Sequence, residues 1–326
     1  MEILKKYLVK YLLIWLLLAC IVAFYWPQIA AKAGGALDRI HPFDLNGQSM
    51  QILIAVTMLI LGSLLPIEEI KMVARRWPTI IGGTCIQFIS MPLLAYIGGK
   101  MFHLEGPWFF GIMMAGCVPG AMASNMLTLI SRGNISYSVG LTTSGTMLSP
   151  FLVPVLLAFF LGTEVKQDVT QMIQTLLLTV VCPVVFGFTM SRLFKFWNNL
   201  ATLLGEILGN LVIIWIISSV VAGSRDTLRQ FLEQFPLNLI GALLVLNIGG
   251  YLSGWYGGLL IGADNRMRRA LTLEVGMQNA GLGTMLAMKY GPHGSALVCA
   301  MYTFGCMFTG IILAQIFRRM KTPDSE

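Results

Sequence analysis

The chain is poor in charge and in the residue clusters on which soluble catalysts rely. Only 11% of its 326 residues are Asp, Glu, Lys or Arg, against roughly 25% in a soluble domain. That scarcity excludes a water-facing surface of ordinary size. Histidine occurs three times, as His41, His103 and His293, far apart and near loops, so no histidine metal site is visible. The six cysteines, Cys20, Cys85, Cys117, Cys182, Cys299 and Cys306, lie singly in apolar runs with no CxxC pair. They read as small core residues. There is no HExxH, no paired-Asp diphosphate motif and no His beside a serine nucleophile at membrane depth, which argues against a polytopic membrane enzyme. Nor does the sequence offer a soluble domain of the kind that would make a receptor or sensor the expectation.

What the chain does have is apolar length. It is 56% hydrophobic, with a mean hydropathy of +0.76. A transmembrane helix needs about 20 apolar residues. Ten such runs are predicted, over 7–26, 48–65, 78–99, 107–132 (broken near 119–125), 134–161, 169–194, 200–223, 234–261, 267–289 (broken near 274–281) and 293–317. Residues 1–27 read as a first span, because no small-residue cleavage site precedes Trp26-Pro27. Barrel strands would be about ten residues long with alternating polarity, so helices are the expectation. The net charge of +7 comes from basic residues scattered singly between apolar runs. This is a pattern of membrane topology rather than of a nucleic-acid face.

Basic residues also give an orientation. Fifteen of the 22 fall on the side of the N-terminus, among them Lys5, Lys6, Lys10, Lys71, Arg75, Arg76, Arg266, Arg268 and Arg269. Seven, including Lys32, Lys100, Arg225 and Lys289, fall on the other. Both termini are therefore expected in the cytoplasm. The chain divides near Gly162 into residues 1–163 and 164–326, each with five spans, and the fourth span of each half is interrupted. Five is odd, so the second half enters the membrane from the opposite side, which is an inverted repeat.

The interruptions carry the chemistry. In the first, Val118-Pro119-Gly120-Ala121-Met122-Ala123-Ser124-Asn125, Pro119 lacks an N–H and Gly120 tolerates unusual dihedrals. The segment is either a proline kink in a packed helix or an unwound stretch offering carbonyls to a cation and half-helix N–H groups to an anion. The second, Thr272-Leu273-Glu274-Val275-Gly276-Met277-Gln278-Asn279-Ala280-Gly281, holds a carboxylate in a span. Such a group is kept only where it faces a cavity, a partner or an ion. Glu274 and Gln278 share a face if the backbone stays helical; if it unwinds, the carbonyls of Val275 and Met277 join them. That all-oxygen set suits a hard cation such as Na⁺. The alternative is a protonated Glu274 bonded to a neighbouring helix. Ser138 and Thr142, spaced i, i+4 in the fifth span, are either ion ligands or hydroxyls bonded to carbonyls one turn back. Gln87 is a lone amide in the third span, which can serve as interhelical glue.

The runs Pro119–Asn125, Ser131-Arg132-Gly133-Asn134 with Ser138 and Thr142, and Glu274–Asn279 resemble the bile acid:sodium symporter family. The resemblance implies an all-α integral membrane protein of ten transmembrane helices in two inverted five-helix repeats. Helices 4 and 9 would be discontinuous and cross; helices 1, 2, 6 and 7 would form a panel and the rest a core. It implies one sodium site from Ser124, Asn125, Ser138, Thr142 and Glu274. A second would use Gln87, Glu274, Gln278 and the carbonyls of Val275 and Met277. The substrate is expected beside the crossing, near Met122, Ala123, Asn279 and Ala280. The function implied is sodium-coupled import of an organic anion by alternating access across the cell membrane, with two co-transported Na⁺ ions and no obligatory protein or nucleic-acid partner. Members that handle bile acids often read Pro-Gly-Gly-Thr-Ala-Ser-Asn. Here Ala121 and Met122 replace a glycine and a threonine, which leaves a bile-acid-like substrate and a small carboxylate such as pantoate or a 2-oxo acid both open. The rival is a proton-coupled carrier in which Glu274 titrates.

Overall fold

The computed structural model describes residues 11–33, 42–44, 47–67, 77–162, 168–234 and 236–320. They form α1 (Leu12–Ala33), α2 (Gly47–Leu64), α3 (Trp77–Met101), α4 (Gly106–Cys117), α5 (Ala123–Ile130), α6 (Ile135–Leu161) and α7 (Val169–Leu176). A π-helical turn (Leu177–Val181) then leads into α8 (Cys182–Leu193), α9 (Lys195–Gly223), α10 (Arg225–Gln234), α11 (Leu237–Leu260), α12 (Asn265–Gly276), α13 (Ala280–Tyr290) and α14 (Ser295–Arg319). Among the described residues there is no strand.

Six helical stretches are long and apolar enough to cross a membrane: α1, α3, α6, α7 with α8, α11 and α14. The long α9, which bends by 52° beside Gly205, is a seventh if taken as one span. α2 and α4 are apolar but shorter. Large apolar side chains face outward along these helices, among them Phe159 at 77% and Leu260 at 89% exposure. In water such a surface would drive aggregation; in lipid it is the expected exterior.

Packing divides the helices by their closest neighbours. α2 lies against α8 and α9, and α9 against α1. α3 lies against α4, α6 and α11; α11 against α12; and α14 against α4, α5 and α13. α2 and α8 approach backbone to backbone: a Cβ at Gly62 would overlap Val184, and one at Gly187 would overlap Leu59. The π turn precedes Pro183, whose missing N–H cannot close the helical bond to Thr179.

Three sequence expectations need correction. The first run does not stop at Trp26 but continues through Pro27 to Ala33, because the residues beyond, rich in alanine, are mostly good helix formers and the proline removes a single bond. Residues 225–233, left between predicted runs, belong to α10, an amphipathic helix too short to span. Its Leu228 packs against the core. The second interruption is narrower than 274–281. Helix α12 runs through Glu274 to Gly276, and only Met277, Gln278 and Asn279 are non-helical. The segments 68–76, 163–167 and 321–326, with their basic residues, lie outside the described residues, as do Lys5, Lys6, Lys10 and the start of the first predicted run, 7–10.

Candidate functional site

The two interruptions meet. α4 ends at Cys117, because Val118 precedes Pro119 and is held extended (φ −73°, ψ 158°). α12 ends at Gly276, with Met277 extended (φ −117°, ψ 106°). The extended stretches pair antiparallel, Gly120 opposite Gln278. Ala121 N–H donates to the Met277 carbonyl at 2.8 Å, and Asn279 N–H donates to the Pro119 carbonyl at 2.8 Å. Each break thus supplies the backbone partners that the other lost. This is how irregular backbone persists where water is excluded. Beyond the pairing the chain re-enters helices α5 and α13. Asn279 caps α13, its side chain accepting from Leu282 N–H at 3.2 Å.

Glu274 lies in the last turn of α12 with no solvent exposure. Its carboxylate accepts a hydrogen bond from the Ser124 hydroxyl. The Thr142 hydroxyl lies 2.8 Å from Oε1 and 2.9 Å from Oε2. The same hydroxyl is 3.0 Å from the Ser138 carbonyl and 3.4 Å from Asn125 Oδ1. Ser138 is fully buried and receives the Thr128 hydroxyl at 3.3 Å. A hydroxyl has one proton, so Thr142 can donate to only one of its four acceptors at a time. Oxygen therefore outnumbers donated hydrogen around the carboxylate. Among the described residues the ion pair present is Arg229–Asp226, on the surface and away from this site. A buried carboxylate surrounded by acceptor oxygens, without a basic side chain in contact, is a cation-binding chemistry. Among the described residues no cluster of His, Cys, Asp and Glu has the make-up of a transition-metal site.

The predicted residues divide accordingly. Ser124, Asn125, Ser138, Thr142 and Glu274 are brought together from α5, α6 and α12. The second predicted set meets less fully. Gln87 Nε2 lies 3.5 Å from Gln278 Oε1, at the limit of a hydrogen bond. The Val275 carbonyl accepts from Gln278 Nε2 at 2.7 Å, and the Met277 carbonyl is held by Ala121. Both carbonyls keep a second lone pair. Of the predicted substrate residues, Met122, Ala123 and Asn279 are half-buried at the adjoining starts of α5 and α13. Ala280 opens α13, and its side chain lies outside the described residues. Sequence reasoning missed Asn247 and Tyr302, which both donate to the Gly276 carbonyl, at 3.0 and 2.9 Å. Asn247 carried the same signal as Gln87, a lone amide in an apolar helix. Tyr302 carried none, because a tyrosine in such a run reads as core.

A polytopic helical protein with a buried carboxylate at two paired helix breaks has the makings of a membrane transporter. The Sodium Bile acid symporter family matches residues 51–231 of the sequence, and the chain belongs to that family. Its members are transporters rather than enzymes. Similarity to individual relatives extends well beyond the matched segment. The uncharacterised sodium-dependent transporter YocS of Bacillus subtilis is 28% identical over 303 residues, 92% of this chain and 88% of the relative. The probable sodium/metabolite cotransporter BASS1, chloroplastic, of Arabidopsis thaliana is 27% identical over 276 residues, 84% of this chain and 67% of the relative. A sodium-dependent organic anion transporter of Bos taurus is 26% identical over 265 residues, 79% and 67% respectively.

Proposed function

We propose that the protein is a sodium-coupled symporter that carries an organic anion into the cell by alternating access, with Glu274 as the group that couples ion to substrate. The observation that carries this reading is the excess of acceptor oxygen around a fully buried carboxylate that spans α5, α6 and α12. One sodium ion would be held by Ser124, Asn125, Ser138, Thr142 and Glu274. A second would use Gln87, Gln278, the carbonyls of Val275 and Met277, and Glu274. The relatives named as sodium-dependent support the choice of ion.

The architecture proposed is ten transmembrane helices in two inverted halves, 1–163 and 164–326. Adding α2, α9 and the broken pairs α4–α5 and α12–α13 to the six long spans gives that count. α1, α2, α7–α8 and α9 would be the panel, and the other spans the core, which their closest contacts support. Both termini would face the cytoplasm of a cell that carries the protein in its plasma or inner membrane. The substrate would sit beside the crossing, near Met122, Ala123, Asn279 and Ala280. There the positive ends of α5 and α13 favour an anion. Met122 in place of a hydroxyl-bearing residue supports a small carboxylate over a bile acid. Sodium binding neutralises Glu274, ties α12 to α5 and α6, and raises the local potential for the anion; the core then moves against the panel. Two sodium ions with a monovalent anion carry one net charge inward, so transport is electrogenic. Each sodium moving down 100 mV supplies about 2.3 kcal/mol.

The test is thermal stability in detergent, in NaCl against KCl at equal ionic strength, followed by uptake of candidate carboxylates into proteoliposomes driven by a sodium gradient. Stabilisation specific to sodium is expected, at about 2.7 kcal/mol for a hundredfold excess over Kd. A flux driven by pH and indifferent to sodium would transfer the reading to the proton-coupled carrier.

A further inference from the structure

The carbonyl of Gly276 ends α12 two residues beyond Glu274, and a helix end leaves its last carbonyls without intrahelical donors. Such carbonyls carry the negative end of the helix dipole, so at membrane depth they attract a cation or demand a hydrogen bond. Two side chains converge on this one: Asn247 Nδ2 from α11 at 3.0 Å and the Tyr302 hydroxyl from α14 at 2.9 Å. Behind them Thr309 lies 2.7 Å from Asn247 Oδ1, and the Tyr251 hydroxyl lies 3.0 Å from Thr309 and 3.1 Å from the Cys306 carbonyl. Asn247 and Tyr302 are 3% and 2% exposed, so water does not substitute for them.

Close backbone contact makes this reach possible. A Cβ at Gly250 would lie 3.1 Å from the Gly276 Cα, and one at Gly254 would lie 2.6 Å from the Thr272 Cα. The ring of Tyr251 fills the space that any side chain at position 276 would need. A single donor would suffice to satisfy a helix-end carbonyl. Here two are aimed at it, and one of them is held by a further pair of hydroxyls.

We propose that Asn247 and Tyr302 are positioning residues of the sodium site. By holding the Gly276 carbonyl they fix the break at 277–279 and withhold that oxygen from the ion, which leaves Glu274 and the carbonyls of Val275 and Met277 available to it. The inference rests on the sodium-coupled reading above. In that reading Asn247 and Gln87 stand on the third helix of each half, and each sends a carboxamide to the crossing from its own side.

The experiment is a NaCl titration of thermal stability at constant ionic strength, balanced with KCl. It compares wild type with Tyr302→Phe and Asn247→Leu, each of which removes one donor with little change of shape. The half-saturating sodium concentration is expected to rise about five- to tenfold in each, the size of one hydrogen bond's contribution. Thr309→Val leaves both donors in place and removes the hydroxyl that orients Asn247 and meets Tyr251, so a rise of about two- to threefold is expected; this variant decides the matter if a donor variant does not fold. Thr303→Val removes a buried hydroxyl that only bonds back to Cys299 on its own helix, and sodium half-saturation there should stay at the wild-type value. If the donor variants melt earlier by equal amounts in NaCl and KCl, with unchanged half-saturation, the two side chains are merely structural and the inference is wrong. A wild type without any sodium response would instead overturn the sodium-coupled reading, and this inference with it.

Discussion

Gly120→Ala is the smallest change that should disable the site. Gly120 sits opposite Gln278 in the paired breaks, and its Cα looks directly onto the Glu274 carboxylate. A Cβ there would overlap Oε1 and lie 2.6 Å from Cδ and 3.1 Å from Cγ. Carbon atoms pack at about 3.5 Å or more, so the carboxylate carbon must move by roughly 0.9 Å or more. The Thr142 hydroxyl lies 2.8 and 2.9 Å from the two oxygens, and the Ser124 hydroxyl donates to the same carboxylate. A displacement of that size removes at least one of these contacts from hydrogen-bonding range. A bond to a charged group contributes about 1.5–3 kcal/mol. Sodium affinity should therefore fall by about ten- to a hundredfold. The assay is the sodium concentration that half-saturates thermal stabilisation, compared with Gly305→Ala. At Gly305 the added Cβ meets nothing within 4 Å, and sodium binding should be unaltered. A Gly120→Ala protein that still half-saturates within threefold of wild type would refute the reasoning. The carboxylate would then not be locked between Gly120 and Thr142, or would not be the sodium ligand.

Three further outcomes are expected. Glu274→Gln keeps the volume and removes the charge, so sodium-specific stabilisation and sodium-driven uptake should both be lost while the protein still folds in KCl; uptake with unchanged sodium dependence would contradict the central role of the carboxylate. Thr142→Val should raise half-saturating sodium by about tenfold or more, whereas Thr142→Ser should stay near wild type, and equal behaviour of the two would mean that the hydroxyl is not a ligand. Arg269 is 3% exposed and bonds the carbonyls of Ser131 (2.8 Å) and Met320 (3.2 Å). Arg269→Met leaves both without that donor and should lower stability by about 1–3 kcal/mol, equally in NaCl and KCl; a loss confined to NaCl would tie this residue to the ion.

Much of the molecule was legible in the sequence because lipid simplifies the code. Eleven per cent charge and long apolar runs admit helices and little else, and most predicted runs fall within a few residues of the observed helices. Pro119 and the Glu274–Asn279 run marked the two breaks through rules that act on neighbouring residues: a missing N–H, a free glycine and an ionisable group in a span. Where periodicity misled, it did so at the edges. α10 was hidden because its ten residues are polar enough to pass for loop. The extent of the second break was misjudged because Glu274 stays helical.

What the sequence by itself determined is the membrane class, the positions of the breaks and the oxygen-bearing residues available to a cation. Only the tertiary structure decided that the breaks pair with each other through Gly120 and Gln278. It also decided that Ser124 and Thr142, 150 and 132 positions away, reach the same carboxylate, and that Asn247 and Tyr302 take the Gly276 carbonyl. The physical reason is that local patterning fixes where a helix must end. Which distant group satisfies the end is set by how closely helices can approach, and here glycines at 120, 250 and 254 set that distance.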